Sequence, residues 1–129
     1  MKNIFVTAGA ICLFGSALAA DPIEGKWRTS KDDNGFSGLI HIAPCGDKLC
    51  GRLLKSFNAE GKVFASEFDG KNILTETVPK GDGEYRGRAF SPDRRKTYNS
   101  KLKLNGDKLS VSGCILVICR TGDPWTRVE

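Results

Sequence analysis

The stretch "KLKLNGDKLSVSG", residues 101–113, decides the fold class of this chain. Its large apolar residues alternate with lysines and serines, so they share one face of an extended strand: Leu102, Leu104, Leu109 and Val111. Asn105-Gly106 stands between the two halves, and this dipeptide is favoured in two-residue hairpin turns because both residues tolerate positive φ. The stretch therefore predicts an antiparallel β-hairpin with one dry and one wet face.

The rest of the chain repeats this pattern. Clusters of Gly, Asn, Asp or Pro recur about every ten residues, and the segments between them alternate with period two. No window shows a helical stripe. The sequence predicts an all-β domain of eight or nine short antiparallel strands, arranged as a sandwich or a barrel. We expect Gly87 and Ala89 at crowded inward positions, and a small barrel either fills itself with side chains or holds one small ligand.

The first residues have the features of a secretory signal peptide. Lys2 precedes an uninterrupted apolar run at positions 4–19, which ends in the A-x-A sequence Ala17-Leu18-Ala19. At about 16 residues the run is short for a transmembrane helix, which needs ~20. We therefore expect cleavage of residues 1–19 or 1–20, a single domain over residues 21–129, no transmembrane anchor, and a periplasmic or secreted protein.

The charge of the chain narrows the classes of partner. With 20 basic and 15 acidic residues the net charge is +5, and loss of Lys2 with the leader leaves +4. This mild excess suits anionic envelope polymers or acidic partners, and it is too small for a nucleic-acid-binding domain.

Four cysteines remain in the predicted domain, as two C-x4-C pairs. We call Cys45 with Cys50 the first bracket and Cys114 with Cys119 the second bracket. An even number in a small exported domain predicts disulfides, with three possible connectivities. A tetrathiolate zinc site is the rival interpretation, and export to an oxidising compartment argues against it. A redox C-x-x-C motif is absent.

The two brackets lead to different expectations. A turn at Asp47-Lys48 would place Cys45 directly opposite Cys50, within disulfide range, and Ile42 opposite Leu53 inside the domain. Positions 114 and 119 differ by an odd number, so in a straight strand their side chains point to opposite faces. The second bracket therefore either bends into a loop and forms its own bridge, or stays a buried strand and pairs with the first bracket.

Four segments together resemble one bacterial family: "GKW" (25–27), "IHIAPCGDKLCGRLL" (40–54), "FSPDRRKTYNSKLKLNGDKLSVSGC" (90–114) and "CRTGDPWTRV" (119–128). The family consists of small exported proteins known only as domain-of-unknown-function family 2147. The resemblance implies a lipocalin-like, calycin-type up-and-down barrel and no particular reaction. It also favours a loop at the second bracket, hence the local bridges Cys45–Cys50 and Cys114–Cys119. The rim residues would then lie at the barrel mouth: Ile115, Leu116, Val117 and Ile118.

The G-x-W start also resembles that of lipocalins, in which an N-terminal Trp packs beneath an Arg of the last strand. The resemblance implies a contact between Trp27 and Arg127 that closes the barrel. Trp125 shares the face of Arg127 in a straight strand, so we expect both tryptophans near the same closed end.

Few residues are candidates for chemistry. His41 is the only histidine, is expected on the outer face, and has no nucleophile or carboxylate nearby in sequence. The aspartates are mostly turn residues. A candidate basic docking face comprises Arg86, Arg88, Arg94, Arg95, Lys96, Lys101 and Lys103.

These features predict a noncatalytic, exported binding protein that takes up a small apolar or amphipathic ligand at the barrel mouth. The alternative is an envelope protein-interaction module that uses the basic face or the apolar rim. We expect no catalytic residue, metal, cofactor or nucleic-acid partner, and we expect a monomer.

Overall fold

A computed structural model describes residues 20–129, and the predicted leader at residues 1–19 lies outside them. The described residues form ten β-strands and no helix, so they contain no helical segment able to cross a bilayer. The strands are β1 (Gly25–Arg28), β2 (Ser37–Cys45), β3 (Lys48–Phe57), β4 (Val63–Phe64), β5 (Asn72–Gly81), β6 (Glu84–Ser91), β7 (Lys96–Asn105), β8 (Lys108–Ile115), β9 (Ile118–Thr121) and β10 (Trp125–Arg127).

Eight of these strands close into an antiparallel barrel. They pair in the order β1-β2-β3-β5-β6-β7-β8, and β10 completes the ring because it pairs with both β8 and β1. At this closure Trp125 lies opposite Leu109, and Arg127 lies opposite Trp27. The short strands β4 and β9 are additions to β3 and to the end of β8. The predicted all-β, up-and-down barrel is confirmed.

Alternation along the strands builds the core. In β3, Leu49, Gly51 and Leu53 are buried, whereas Lys48 and Arg52 are exposed, as the pleat of a strand requires. The buried apolar residues form one cluster: Ile23, Trp27, Ile40, Ile42, Leu49, Leu53, Ile73, Leu74, Tyr85, Leu102, Leu109 and Trp125.

The connections give the barrel two different ends. Two-residue turns follow β2, β5 and β7, and they share one end with the segment before β1; we call this the closed end. The opposite end carries the long connections at residues 29–36 and 58–71, the turn at 92–95 and the β8–β9 hairpin; we call this the open end.

Arg127 joins four parts of the closed end. Its guanidinium carbon lies 4.4 Å from the ring centroid of Trp27. The same guanidinium donates hydrogen bonds to the carbonyl oxygens of Pro22 (2.7 Å) and Glu24 (3.0 Å), and its Nε donates to the carboxylate of Asp107 (3.0 Å). One side chain thus connects the last strand, the first strand, the N-terminal segment and the β7–β8 turn.

The segment before β1 fills this end of the barrel. Ile23 is fully buried, and its carbonyl accepts a 2.9 Å hydrogen bond from Nε1 of Trp27. The buried Tyr85 donates its hydroxyl to the carboxylate of Asp21. Burial, reinforced by this hydrogen bond, raises the pKa of Tyr85 well above its ordinary value. The phenol therefore remains a protonated donor that holds the segment in place.

The register of the β2–β3 hairpin differs from the prediction. The turn is Gly46-Asp47, so Cys45 lies opposite Lys48, and Cys50 lies opposite Ala43. Gly46 has φ of +70°, a conformation that glycine adopts at little cost, and this places the turn one residue earlier than predicted. Cys45 and Cys50 are bonded diagonally across the hairpin, with Cα atoms 5.5 Å apart.

The shift also changes the partners inside the barrel. Ile40, rather than Ile42, lies opposite Leu53, and Ile42 lies opposite Gly51. The predicted pairing of Ile42 with Leu53 is therefore wrong by two residues. A two-residue shift preserves the face on which a side chain points, so both Ile42 and Leu53 are buried as expected.

Gly87 is crowded by backbone, as its inward position suggested. A Cβ atom at this position would lie 2.7 Å from the carbonyl oxygen of Thr75 and 2.8 Å from the Cα of Thr77. The neighbouring inward residue Ala89 has a different environment, because it borders an open cavity. Gly87 therefore permits close packing of β6 against β5, whereas Ala89 leaves space for the cavity.

We expect Gly87→Ala to lower the free energy of unfolding by about 1–3 kcal/mol, because the added methyl group must displace backbone atoms. Urea unfolding followed by tryptophan fluorescence measures this change. Gly122→Ala is the matched control, since a Cβ there meets only Ser30 Oγ at 3.8 Å. Equal losses in the two variants would contradict the crowding at Gly87.

Candidate ligand-binding cavity

A cavity of about 1080 Å³ occupies the half of the barrel nearer the open end and opens to solvent there. The inward residues of the strands form its wall: Ile40, Leu53, Ile73, Leu74, Ala89, Val111 and Trp125. The volume is comparable to the upper end of the range for small-molecule pockets, and an apolar wall is typical of such sites. The barrel is thus filled by its own side chains at one end and hollow at the other.

Four phenylalanines near the open end, three in the connections and one in β6, extend the cavity wall. Phe36 and Phe64 meet edge to face with ring centroids 5.2 Å apart, and Phe68 lies 5.2 Å from Phe90. All four line the cavity. None of them was predicted from the sequence. Phe90 follows the inward residue Ala89, so strict strand alternation would place it on the outer face. The only signal for Phe36, Phe64 and Phe68 is their position in the connections, which does not indicate the direction of a side chain.

The β8–β9 hairpin forms one side of the mouth. Cys114 lies directly opposite Cys119, with Cα atoms 4.0 Å apart and a disulfide between them, and a two-residue turn follows at Leu116-Val117. The predicted rim residues form the tip of this hairpin and also line the cavity mouth. They are largely exposed: Ile115 64%, Leu116 89%, Val117 94% and Ile118 70%.

Charged residues of both signs surround the mouth. Arg94 forms an ion pair with Asp33 at 3.4 Å, and Arg95 forms one with Glu67. The carboxylate of Asp32 accepts hydrogen bonds from the backbone N–H groups of residues 34 and 36, so it is engaged within its own loop. These contacts order the connections around the opening.

The predicted basic docking face is divided by these contacts. Strands β6 and β7 are neighbours, and Arg86 lies opposite Lys101, as the prediction required. However, Arg86 pairs with Glu84 at 3.7 Å, and Arg94 and Arg95 pair with acidic residues at the mouth. The seven cations therefore do not form one uncompensated surface.

The other four cations of this set differ in their surroundings. Arg88 donates to the side chain of Asn99 at 2.8 Å, and Lys103 donates to the carbonyl oxygen of Asp82. Lys96 is exposed at the start of β7, and Lys101 is half-buried.

His41 lies on the outer face of β2 and is exposed. Its cross-strand neighbours are Lys26 and Arg52, and the nearby carboxylate of Glu129 forms an ion pair with Lys26 at 2.8 Å. Within residues 20–129, no group of three His, Cys, Asp or Glu side chains is arranged as a metal site.

The two tryptophans have different surroundings. Trp27 is fully buried beneath Arg127 at the closed end, whereas Trp125 lines the cavity. The predicted contact between Trp27 and Arg127 is present. Trp125, which we expected beside Trp27, instead contributes its ring to the cavity wall. The reason is that β10 runs antiparallel to β1, so Trp125 lies two residues nearer the open end than the pair formed by Trp27 and Arg127.

A closed antiparallel ring with one sealed end and one open, apolar cavity defines a lipocalin-like barrel. The family described as "Uncharacterized protein conserved in bacteria (DUF2147)" matches residues 25–127, and the chain belongs to this family. Among curated proteins, no match is found.

Among solved structures, the chain is similar to protein HP1028 from Helicobacter pylori, which is described as belonging to the lipocalin family. The TM-score is 0.66 at 14% sequence identity, and the alignment covers 86% of this chain and 85% of that chain. At this identity the similarity concerns the fold.

The two local bridges predict a specific tryptic map without reduction. Cys114 and Cys119 should lie within one peptide, residues 109–120, because no Lys or Arg separates them. Cleavage after Lys48 should leave residues 32–48 bonded to residues 49–52 through Cys45 and Cys50. Mass spectrometry before and after reduction identifies both species. A peptide that links residues 109–120 to either of the others would contradict this connectivity.

Proposed function

We propose that this protein is a noncatalytic binding protein that holds a small apolar or amphipathic molecule in the cavity of its open end. The observation that carries the proposal is the cavity of about 1080 Å³ with its wall of aliphatic and aromatic side chains. Transfer of an apolar chain from water to such a wall gains about 25 cal/mol for each Å² buried. A wall of this kind supplies affinity with little directional selectivity.

The charged residues that line the site lie in the open-end connections and in β9. The ion pairs Arg94–Asp33 and Arg95–Glu67 join connections around the opening, and Asp32 is part of the same rim. A molecule with an apolar body and a polar end matches this distribution, because its polar end would remain among hydrated, charged groups. This arrangement favours an amphipathic ligand over a wholly apolar one.

The absence of a role in catalysis is part of the proposal. His41 points away from the cavity, on the outer face of β2. The buried Tyr85 donates to Asp21 at the closed end, so its hydroxyl is engaged in structure. Proton transfer and nucleophilic attack need a base within hydrogen-bond reach of the reacting group, and the residues of the cavity wall are mainly hydrocarbon.

We further propose that the protein acts after export, in the periplasm or outside the cell. The signal-peptide features of residues 1–19 support this placement. Two cysteine pairs at bonding distance also support it, because disulfides persist in oxidising compartments. The fold of protein HP1028, assigned to the lipocalin family, is consistent with a ligand-binding barrel.

Ala89→Trp should weaken binding of an apolar probe, because the indole occupies part of the cavity. Titration with N-phenyl-1-naphthylamine, whose fluorescence rises in apolar surroundings, should show saturable binding to the wild type and at least ~10-fold weaker binding to the variant. Val63→Trp is the matched control, since Val63 is exposed and lies outside the cavity lining. Its affinity should remain within about twofold of the wild type.

Two measurements keep this test independent of folding. Thermal unfolding of each variant, and a second cavity variant, Val111→Trp, show whether a loss of binding reflects occupation of the cavity or a damaged barrel. Unchanged probe binding in both folded cavity variants would contradict the proposal. Native mass spectrometry of the protein purified from the periplasm should in addition detect a bound small molecule in the wild type.

A further inference from the structure

We propose that the tip of the β8–β9 hairpin inserts into a lipid bilayer and thereby sets the cavity mouth against the membrane. The tip is Ile115, Leu116, Val117 and Ile118. This inference goes beyond the proposed ligand binding, although the tip residues also border the cavity mouth. It requires exposure of the tip, and not occupancy of the cavity.

The exposure of the tip is unusual for its place in the fold. Four consecutive apolar residues are between 64% and 94% exposed, at the turn of the β8–β9 hairpin. A two-residue hairpin turn favours Gly, Asn or Asp, yet here it is Leu116-Val117, and Leu116 has φ of +56°. The hairpin turn therefore does not need apolar side chains at its tip, and an exposed apolar patch at such a position suits contact with an apolar partner.

The base of the hairpin is fixed. The disulfide between Cys114 and Cys119 lies directly below the tip, and β9 pairs with β8 from residue 118 to residue 121. The tip thus cannot spread its four side chains over the barrel surface without breaking this pairing. A rigid arm with an apolar end is suited to enter an apolar phase without refolding.

The position of Arg120 fits a membrane surface. A strand advances ~3.3 Å per residue, so Arg120 lies about 10 Å behind Val117 at the end of the hairpin. Interfacial apolar segments reach roughly 5–10 Å into the boundary between headgroups and acyl chains, which places Arg120 at the level of the phosphates. Among residues 20–129, no acidic side chain forms an ion pair with Arg120. A phosphate would provide the missing anion.

The size of the tip favours a bilayer over a second protein surface. Its four side chains expose on the order of 500 Å², whereas a stable protein interface buries roughly 800 Å² on each partner. The surrounding rim is largely charged: Asp33, Glu67, Arg94 and Arg95. A charged rim around a small apolar tip is compatible with lipid headgroups around an inserted hairpin.

Co-sedimentation with vesicles tests this inference on the full mature chain with its disulfides intact. Vesicles of equal parts phosphatidylcholine and phosphatidylglycerol should bind the wild type. The double variant Leu116→Ser/Val117→Ser should reduce the partition coefficient at least ~10-fold, because two inserted apolar side chains are lost. Val63→Ser is the matched control, since Val63 is 62% exposed on a different hairpin, and it should change the partition coefficient less than about twofold.

A second pair of variants separates insertion from adsorption by charge. Arg120→Gln should weaken vesicle binding about fivefold at low salt, as expected for one cation near an anionic surface. Leu116→Trp should shift its added tryptophan emission to shorter wavelength on vesicle addition, and lipids with a quencher in the acyl chain should quench it. Binding that persists in Leu116→Ser/Val117→Ser would overturn the inference, as would a wild type that stays in the supernatant.

Two further readouts separate membrane insertion from self-association and from ligand binding. If the wild type is a dimer that Leu116→Ser/Val117→Ser converts to a monomer in light scattering, the tip is a self-association surface and the inference is wrong. Ala89→Trp, which fills the cavity interior, should lose affinity for N-phenyl-1-naphthylamine and keep its vesicle binding. A wild type that binds the probe but stays in the supernatant overturns membrane docking alone, and a wild type that binds vesicles but not the probe overturns ligand binding alone.

Discussion

The contact of the Arg127 guanidinium with the Trp27 ring and with the carbonyl oxygens of Pro22 and Glu24 is the interaction on which the barrel depends. It lies where β10 meets β1, and β10 is the strand that completes the ring by also pairing with β8. A stacked cation on Trp contributes about 0.5–2 kcal/mol, and charge-assisted hydrogen bonds add to it. Because closure removes the exposed edges of a sheet, this contact protects the backbone of the eight ring strands.

Side chains fill the barrel at the closed end, and the open end contains the cavity. Short turns, the buried Ile23 and the bond between Tyr85 and Asp21 concentrate packing at the closed end. The two cysteine bridges follow this division, since Cys45–Cys50 lies beside a closed-end turn and Cys114–Cys119 supports the mouth. Barrel closure and the candidate site thus lie in separate halves, and the half with the cavity carries the longer connections and the exposed apolar side chains.

The sequence predicted which face of the sheet a side chain occupies better than it predicted which residue lies opposite it on the next strand. Alternation with period two depends only on the pleat, so the inward positions of Leu102, Leu109 and Ile42 were correct. Register depends on one turn residue, and the positive φ of Gly46 moved the β2–β3 pairing by two. The ion pairs and the cavity arise between distant segments, as in Arg94 with Asp33, and no local pattern encodes them. For the same reason the sequence indicated an apolar rim but left open whether the interior was filled.

The most direct test of a binding cavity at the open end is to ask which tryptophan senses a bound chain. Trp125 lines the cavity, whereas Trp27 is sealed beneath Arg127. A dibrominated stearic acid, whose bromines quench indole on contact, should be titrated into the single-tryptophan variants Trp27→Phe and Trp125→Phe. We expect strong, saturable quenching in Trp27→Phe, which retains Trp125, and weak quenching in Trp125→Phe. Equal quenching of the two variants, or none in either, would contradict a ligand-binding cavity at the open end.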